Sequence, residues 1–417
     1  MENPPASAPS SPRRLWWLLA AFVACYFAMF AFFPRLFFFF GVNSYGVWFL
    51  DSYAILASND AVNIGRDAYI YNPLDPFGRG NSYTHWWLHL RDLGLTRAHN
   101  FQVGLAFVLA FFAAALARLR PRAPGELLWY LVVLCSSPIL LAVERANNDL
   151  VIFALLAPVV PCLLAPQRAW RWLAIPLIAL AAGLKFYPAV AGLVLLAGTE
   201  TREVRARVLG GLLALAAVGV NMAHEPLMRA ANPPKAEGLM TLGAVNVFEG
   251  AQHFAWGAAV AWLSLATFVV VVIYGVRAFN GWALRPHERD VWLSFVLGAV
   301  LLAGCFFTAR NFSYRWVYAV WLAPLLWQLP RDPLTPVRVR RFATLTAVLL
   351  IAALWIDPIA SSCFGQIREK FSNTTLLRWG DQIFLCEQPI TWAFFGCLVA
   401  FLAHFTRRGL RVLFARE

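Results

Sequence analysis

Four short clusters of ionisable residues interrupt an otherwise apolar chain of 417 residues. The first is Asp51 in Phe49-Leu50-Asp51-Ser52-Tyr53, followed by Asp60, Arg66, Asp67 and Tyr69. The second is the run Glu144-Arg145-Ala146-Asn147-Asn148-Asp149, the third Leu184-Lys185-Phe186-Tyr187-Pro188, and the fourth Arg310-Asn311-Phe312-Ser313-Tyr314-Arg315. A positioned carboxylate takes a proton from an attacking hydroxyl. Lys and Arg hold phosphate, Arg through two parallel hydrogen bonds. These residue types together describe a pocket with one or two acids and several cations suited to a phosphate, placed where lipid reaches it.

Each cluster also has a plain structural reading. Asp51 can cap a helix, and Glu144–Asp149 can be a tight turn in which Asn148 or Asp149 caps the next helix. Lys185 can snorkel to water from a helix end. The Glu144 and Arg145 pair and the arginines Arg310 and Arg315 are explained less well that way, because a turn needs no ion pair and a charge beside hydrocarbon is costly. His85, His89 and Asp92 have metal-ligand spacing on a helix. Their setting, Thr84-His85-Trp86-Trp87-Leu88-His89-Leu90, reads better as an amphipathic helix in the membrane interface, so no cofactor is expected and a divalent metal stays an unsupported alternative. His253, beside Phe254 and Trp256, is a possible contact for sugar or phosphate.

The elements that must position these groups follow from composition. Sixty per cent of the residues are apolar and only 14% charged, with 18 Trp and 34 Phe; the mean hydropathy is +0.61. Soluble domains carry about 25% charged residues, and disorder requires few aromatics. The solvent for most of this surface is lipid. Apolar stretches predict an all-α polytopic bundle of about twelve spans, starting near Leu15, Phe101, Leu127, Leu150, Trp172, Phe186, Val208, Gly257, Val291, Trp316, Phe342 and Thr391. Arg13 and Arg14 precede the first, which reads as a retained anchor rather than a cleaved signal peptide.

With both termini inside, 21 of the 35 basic residues and 8 of the 22 acids fall on the inner side, so that side carries the whole net charge of +13. This is the positive-inside pattern and gives no warrant for a nucleic-acid partner. Merging Trp172–Leu184 with Phe186–Gly198 into one span would flip every later loop and place 14 of their basic residues outside and only 7 inside, so two short helices broken beside Lys185 and Pro188 are predicted. The expected organisation is a cytoplasmic tail over 1–14, one transmembrane domain over 15–406 and a basic tail over 407–417, with outer segments 34–100, 223–256 and 357–390. Cys25, Cys135, Cys162, Cys305 and Cys397 read as packing residues, while Cys363 and Cys386 share an outer segment and could pair in an oxidising compartment. Asn311 and Asn373 match the short glycosylation pattern.

The order of these motifs, an Asp in a long first outer loop, then Glu144-Arg145-Ala146-Asn147-Asn148-Asp149-Leu150, then Leu184-Lys185-Phe186-Tyr187-Pro188, then Asn311-Phe312-Ser313-Tyr314-Arg315, resembles glycosyltransferase family 87. The likeness runs from about residue 14 into the mid-300s. It implies a GT-C architecture whose first outer loop carries amphipathic helices and the catalytic acid, and a polyprenyl-phosphate sugar donor, typically mannose. On matching positions it implies Asp51 as base, Lys185 as phosphate contact, and Arg145 and Arg315 as pocket cations, with Glu144, Asn148, Asp149, Tyr187, Tyr314, Arg310 and His253 around the substrate. Many GT-C enzymes carry two acids together or one residue apart; here Ser52 and Tyr53 follow Asp51, which argues against a metal and leaves Asp60 as a rival base. The expected activity is sugar transfer to a lipid or glycan acceptor of the cell envelope on the outer face of the plasma membrane. A transporter or lipid flippase is the alternative and predicts two similar halves with charges near the bilayer midplane; a non-catalytic receptor would need neither the acid nor the phosphate-binding cations.

Overall fold

The computed structural model describes residues 12–42, 47–223, 225, 241–252, 255–283, 288–371 and 374–415. The chain is an all-α polytopic membrane bundle, and among the described residues its strands are one antiparallel pair, β1 (Thr241–Leu242) with β2 (Asn311–Phe312). The principal helices are α1 (Pro12–Phe32), α2 (Leu50–Asn63), α3 (Asn100–Arg118), α4 (Pro124–Leu134), α5 (Ser137–Arg145), α6 (Asp149–Leu156), α7 (Val159–Leu164), α8 (Ala174–Leu184), α9 (Thr201–Met222), α10 (Gly257–Ala278), α11 (Arg289–Thr308), α12 (Val337–Phe371) and α13 (Thr374–Leu413). Three 3-10 helices, His85–Leu93, Tyr187–Leu196 and Ser313–Trp321, lie at or beside the candidate site.

Among the described residues six helical stretches are long and apolar enough to cross a bilayer alone, and α4 with α5 makes a seventh if that pair, bent by 54°, is one span. Their apolar character serves two solvents. Trp262 and Val270 of α10 are 71% and 65% exposed and face lipid, whereas α11 buries Phe295, Val296, Leu301 and Leu302 against the rest of the bundle. Gly298 lets the helix Ser313–Trp321 lie close against α11, since a Cβ there would come within 2.7 Å of the Tyr318 carbonyl.

The spans expected near Leu150 and Trp316 are short or broken helices instead of full-length ones, and the stretches from Trp172 and Phe186 form the two short helices expected of them, Ala174–Leu184 and Tyr187–Leu196. Buried against neighbouring helices, their backbone ends find protein partners, which an isolated span in lipid could not. Residues 357–390, expected as an outer segment, continue the two long helices α12 and α13 except at 372–373, which lie outside the described residues.

The arginine-bearing helix ends gather at one end of the bundle. The Trp16 indole donates to the Leu116 carbonyl at 2.8 Å, Arg118 to the Asp290 carbonyl at 3.1 Å and Arg205 to the Leu413 carbonyl at 2.8 Å. Arg171, just before α8, bonds Glu203, just after Tyr187–Leu196, at 2.8 Å. The chain therefore leaves this end and returns to it between residues 171 and 203, as the charge count required of two short helices. The start of α1 and the end of α13 lie at this same end.

Candidate functional site

At the opposite end the site is built on one turn. α5 stops at Ala146, whose φ of 43° is left-handed and costly for a residue with a side chain. Asn147 then accepts the Asp149 amide at 2.9 Å, and every residue from Glu144 to Asp149 is buried. The capping role weighed for Asn148 or Asp149 is not seen: neither side chain caps α6. The turn instead sends consecutive side chains to two different groups.

The first group centres on Asp149. Lys185 donates to its Oδ1 at 2.5 Å and to the Asn148 Oδ1 at 2.6 Å, and the Tyr187 hydroxyl donates to the same Asp149 oxygen at 2.5 Å. Arg315 Nη1 stands 3.6 Å from Asp149 Oδ2, its guanidinium 4.2 Å from the Tyr187 ring centre. Tyr318 bonds the Tyr187 hydroxyl. Two cations thus face one carboxylate, and Arg315 Nε and Nη1, Asn148 Nδ2 and Asp149 Oδ2 are buried without hydrogen-bond partners among the described residues. A cluster with surplus positive charge and unfilled donors is equipped to take an anion.

Lys185 is placed by the first outer segment. It follows α8 in extended conformation (φ −159°, ψ 132°). The carbonyls that α8 leaves open are taken from above: Thr84 donates to Gly183 O at 2.8 Å, and the Trp87 indole to Leu184 O at 3.0 Å. Gly183 is required here because Trp86 packs onto it, leaving no room for a Cβ. The Trp86 indole in turn donates to Asn221 at the end of α9, at 2.8 Å. The amphipathic helix expected around His85 to Leu90 is thus present as His85–Leu93, with Trp87 buried beneath and His89 and Leu93 facing out.

The second group is a cleft lined by Asp51, Ala54, Arg79, Tyr83, Arg145 and Tyr314, among others. Asp51 lies in the first turn of α2, 5% exposed, and accepts from Asn147 Nδ2 at 2.6 Å. The helix is started by Phe49, left-handed at φ 59°, whose amide donates to the Glu144 carbonyl at 3.0 Å. Ser52 anchors it further to Asn100 of α3 at 2.7 Å. Asp51 therefore faces a cleft and does not cap a helix toward water.

The cleft and the Asp149 cluster share an aromatic boundary. Phe312 and Tyr314 stack with ring centres 5.3 Å apart; Arg145 lies 5.4 Å from the first ring and Lys185 Nζ 5.7 Å from the second. The three cations expected around one small anion, Lys185, Arg145 and Arg315, are distributed about this aromatic pair and Asp149. Lys185 and Arg315 meet at Asp149, an internal acid, while Arg145, with Glu144 Oε2 4.0 Å from its Nε, lines the Asp51 cleft.

No family model matches the chain, and no curated protein matches it. Among solved structures it is similar to ArnT from Cupriavidus metallidurans in the apo state, at 13% identity and a TM-score of 0.35, over 91% of this chain and 76% of that one. A likeness of that degree assigns no chemistry. The site geometry carries the functional reading.

Other expected members fall elsewhere. Arg310 pairs with Glu249 on the helix Val245–Ala251 and not with Asp149, because the β1–β2 pairing fixes the backbone between Arg310 and Phe312 against the second outer segment. Asp60 pairs with Arg97 at 2.8 Å. His85 Nδ1 lies 2.7 Å from Glu225, and His89 Nδ1 2.8 Å from Asp92, so the two histidines serve different carboxylates. His253, Cys363 with its proposed pairing to Cys386, and Asn373 lie outside the described residues or side chains.

Three residues of the site escaped the sequence reading. Arg79 is held by Asp75 through Nε at 3.0 Å and Nη2 at 2.7 Å and sets Nη1 4.0 Å from Asp51. Burial opposes its charge, but the hydrogen bonds and nearness of Asp75, with Asp51, outweigh that and raise its pKa. The four-residue spacing of Asp75 and Arg79 was the available signal. Tyr83 in the cleft and Tyr318 behind Tyr187 carried none, being aromatics among many.

Proposed function

We propose that this protein transfers a sugar, mannose-like, from a polyprenyl phosphate to an acceptor hydroxyl at the extracytoplasmic face of the plasma membrane, with both termini in the cytoplasm. The supporting observation is the pairing of a cleft-facing carboxylate, Asp51, with a buried cluster in which two cations, Lys185 and Arg315, share the single carboxylate of Asp149 and Arg315 Nε has no hydrogen-bond partner among the described residues. In this reading the acceptor hydroxyl attacks the anomeric carbon while Asp51 takes its proton. The anomeric carbon–oxygen bond to the phosphate breaks, and Lys185 and Arg315 stabilise the departing polyprenyl phosphate. Arg145 and Arg79 border the acceptor side, Tyr187, Tyr314 and Asn148 the donor side, and Glu144 is buried behind Arg145.

Lys185 follows the end of α8 and Arg145 ends α5, so the charges of the site sit at helix ends. The test is incubation of the purified protein with labelled polyprenyl-phosphate sugars and candidate acceptors. Release of free polyprenyl phosphate coupled to acceptor glycosylation is the expected result. Translocation of the intact lipid across proteoliposomes without release would overturn the reading in favour of a flippase.

A further inference from the structure

At the end of the bundle opposite Lys185 lies a second cationic site that the transfer reading does not use. It is a cavity of about 410 Å³ between α7, the end of the helix Tyr187–Leu196, and the ends of α9, α11 and α13. Four arginines line it, Arg171, Arg207, Arg289 and Arg408, against two acids, Glu200 and Glu203. α11 alone, 20 residues long, separates Arg289 from the Arg310 side by about 30 Å at 1.5 Å per residue, so the two sites are distinct.

The charges are unequally spent. Glu203 is taken by Arg171 at 2.8 Å and approached by Arg207 at 3.6 Å. Arg207 is 2% exposed, donates to the Ala197 carbonyl, and still has Nε buried without a hydrogen-bond partner. Among the described residues Arg289 and Arg408 have no carboxylate within 4.0 Å. The remaining wall is mostly apolar, including Leu164, Leu196, Trp292 and Phe405, with Thr199 among it. Arg207 faces Glu203 at 3.6 Å without a hydrogen bond to it, and its buried charge is better compensated where a further anion reaches its free Nε. The combination of surplus arginines and an apolar flank at a membrane-helix end fits a ligand that is anionic at one end and hydrocarbon at the other.

We propose that this cavity binds the phosphodiester headgroup of an anionic glycerophospholipid from the leaflet at the arginine-rich end, with Arg207, Arg289 and Arg408 on the phosphate and an acyl chain along Leu196 and Phe405. A free inorganic or small organic phosphate shares the headgroup chemistry but leaves the apolar wall unused.

The test uses the full chain, purified in detergent and delipidated, and native mass spectrometry with phosphatidylglycerol or phosphatidylcholine of the same acyl chains. Phosphatidylglycerol is expected to be retained about tenfold more tightly, and the preference to disappear in Arg289→Gln/Arg408→Gln. Both of these side chains are exposed, so the double variant should fold, which an unchanged unfolding midpoint verifies. Equal retention of the two lipids, or a preference that survives the double variant, would overturn the proposal. Stabilisation by inorganic phosphate or glycerol phosphate equal to that by the lipid would also overturn it, assigning the cavity to a soluble anion.

Discussion

Asn147 and Asn148, neighbours in one buried turn, serve opposite halves of the site: Asn147 donates to Asp51 at 2.6 Å, and Asn148 accepts from Lys185 at 2.6 Å. The left-handed Ala146 before them aims the turn, so one strained residue couples the position of the acid to that of the cations. Exchanging either side chain should separate the two functions. Asn147→Ala should lower turnover with donor binding kept, and Asn148→Ala should weaken donor binding, each by the value of a hydrogen bond to a charged group, about 1.5 to 3 kcal/mol. Donor titration and single-turnover rates on both variants distinguish these outcomes; identical profiles would contradict the division.

Asp51→Asn preserves shape and the contact with Asn147 while removing the basic oxygen. Turnover should fall by about 10² to 10⁴ with donor binding intact. Asp60→Asn removes a partly exposed ion pair with Arg97 and should cost about 1 kcal/mol of stability or less with turnover retained. An inactive Asp60→Asn beside an active Asp51→Asn would show that Asp60, not Asp51, is the base.

Removing one member of the Asp149 cluster leaves a buried charge short of its partner. Asp149→Asn should destabilise the protein by about 3 to 5 kcal/mol, read as a lowered unfolding midpoint in detergent. Lys185→Met and Arg315→Met with Asp149→Leu should recover much of that stability and none of the activity, because the acid and both of its cations are removed together. Arg315→Lys should not restore donor binding, since an ammonium cannot replace the planar guanidinium over Tyr187.

Gly183→Val would drive a side chain into Trp86 and lift the helix His85–Leu93 from the end of α8. A loss of about 1 to 3 kcal/mol is expected, together with faster proteolysis between residues 84 and 96. Gly94→Ala is a comparison with open space around it but a left-handed φ of 70°, so it should cost less and leave the Trp86 contact alone.

Single cysteines placed at the exposed positions 120, 202 and 410 should react with an impermeant thiol reagent from one side of the membrane, and cysteines at 71 and 92 from the other. Reaction of position 202 together with 71 would make Trp172–Gly198 a single crossing and contradict the hairpin that the Arg171–Glu203 bond describes.

The sequence by itself determined the solvent and the helical bundle, and set an expectation for its polarity. Apolar length against bilayer thickness and the one-sided distribution of arginine are averages over many residues, and averages survive ignorance of packing. It also marked the four clusters, because a charge beside hydrocarbon is rare enough to be informative alone. Tertiary structure decided which partners those charges take. Lys185 and Arg315 meet an acid of the chain's own, Arg145 turns to Phe312, Arg310 goes to Glu249, and Arg79 arrives beside Asp51 from a loop 28 residues later. A pairing within about 4 Å depends on where helices end, and here those ends are set by long-range contacts, Thr84 on Gly183 and Phe49 on Glu144, that leave no periodic mark in the sequence.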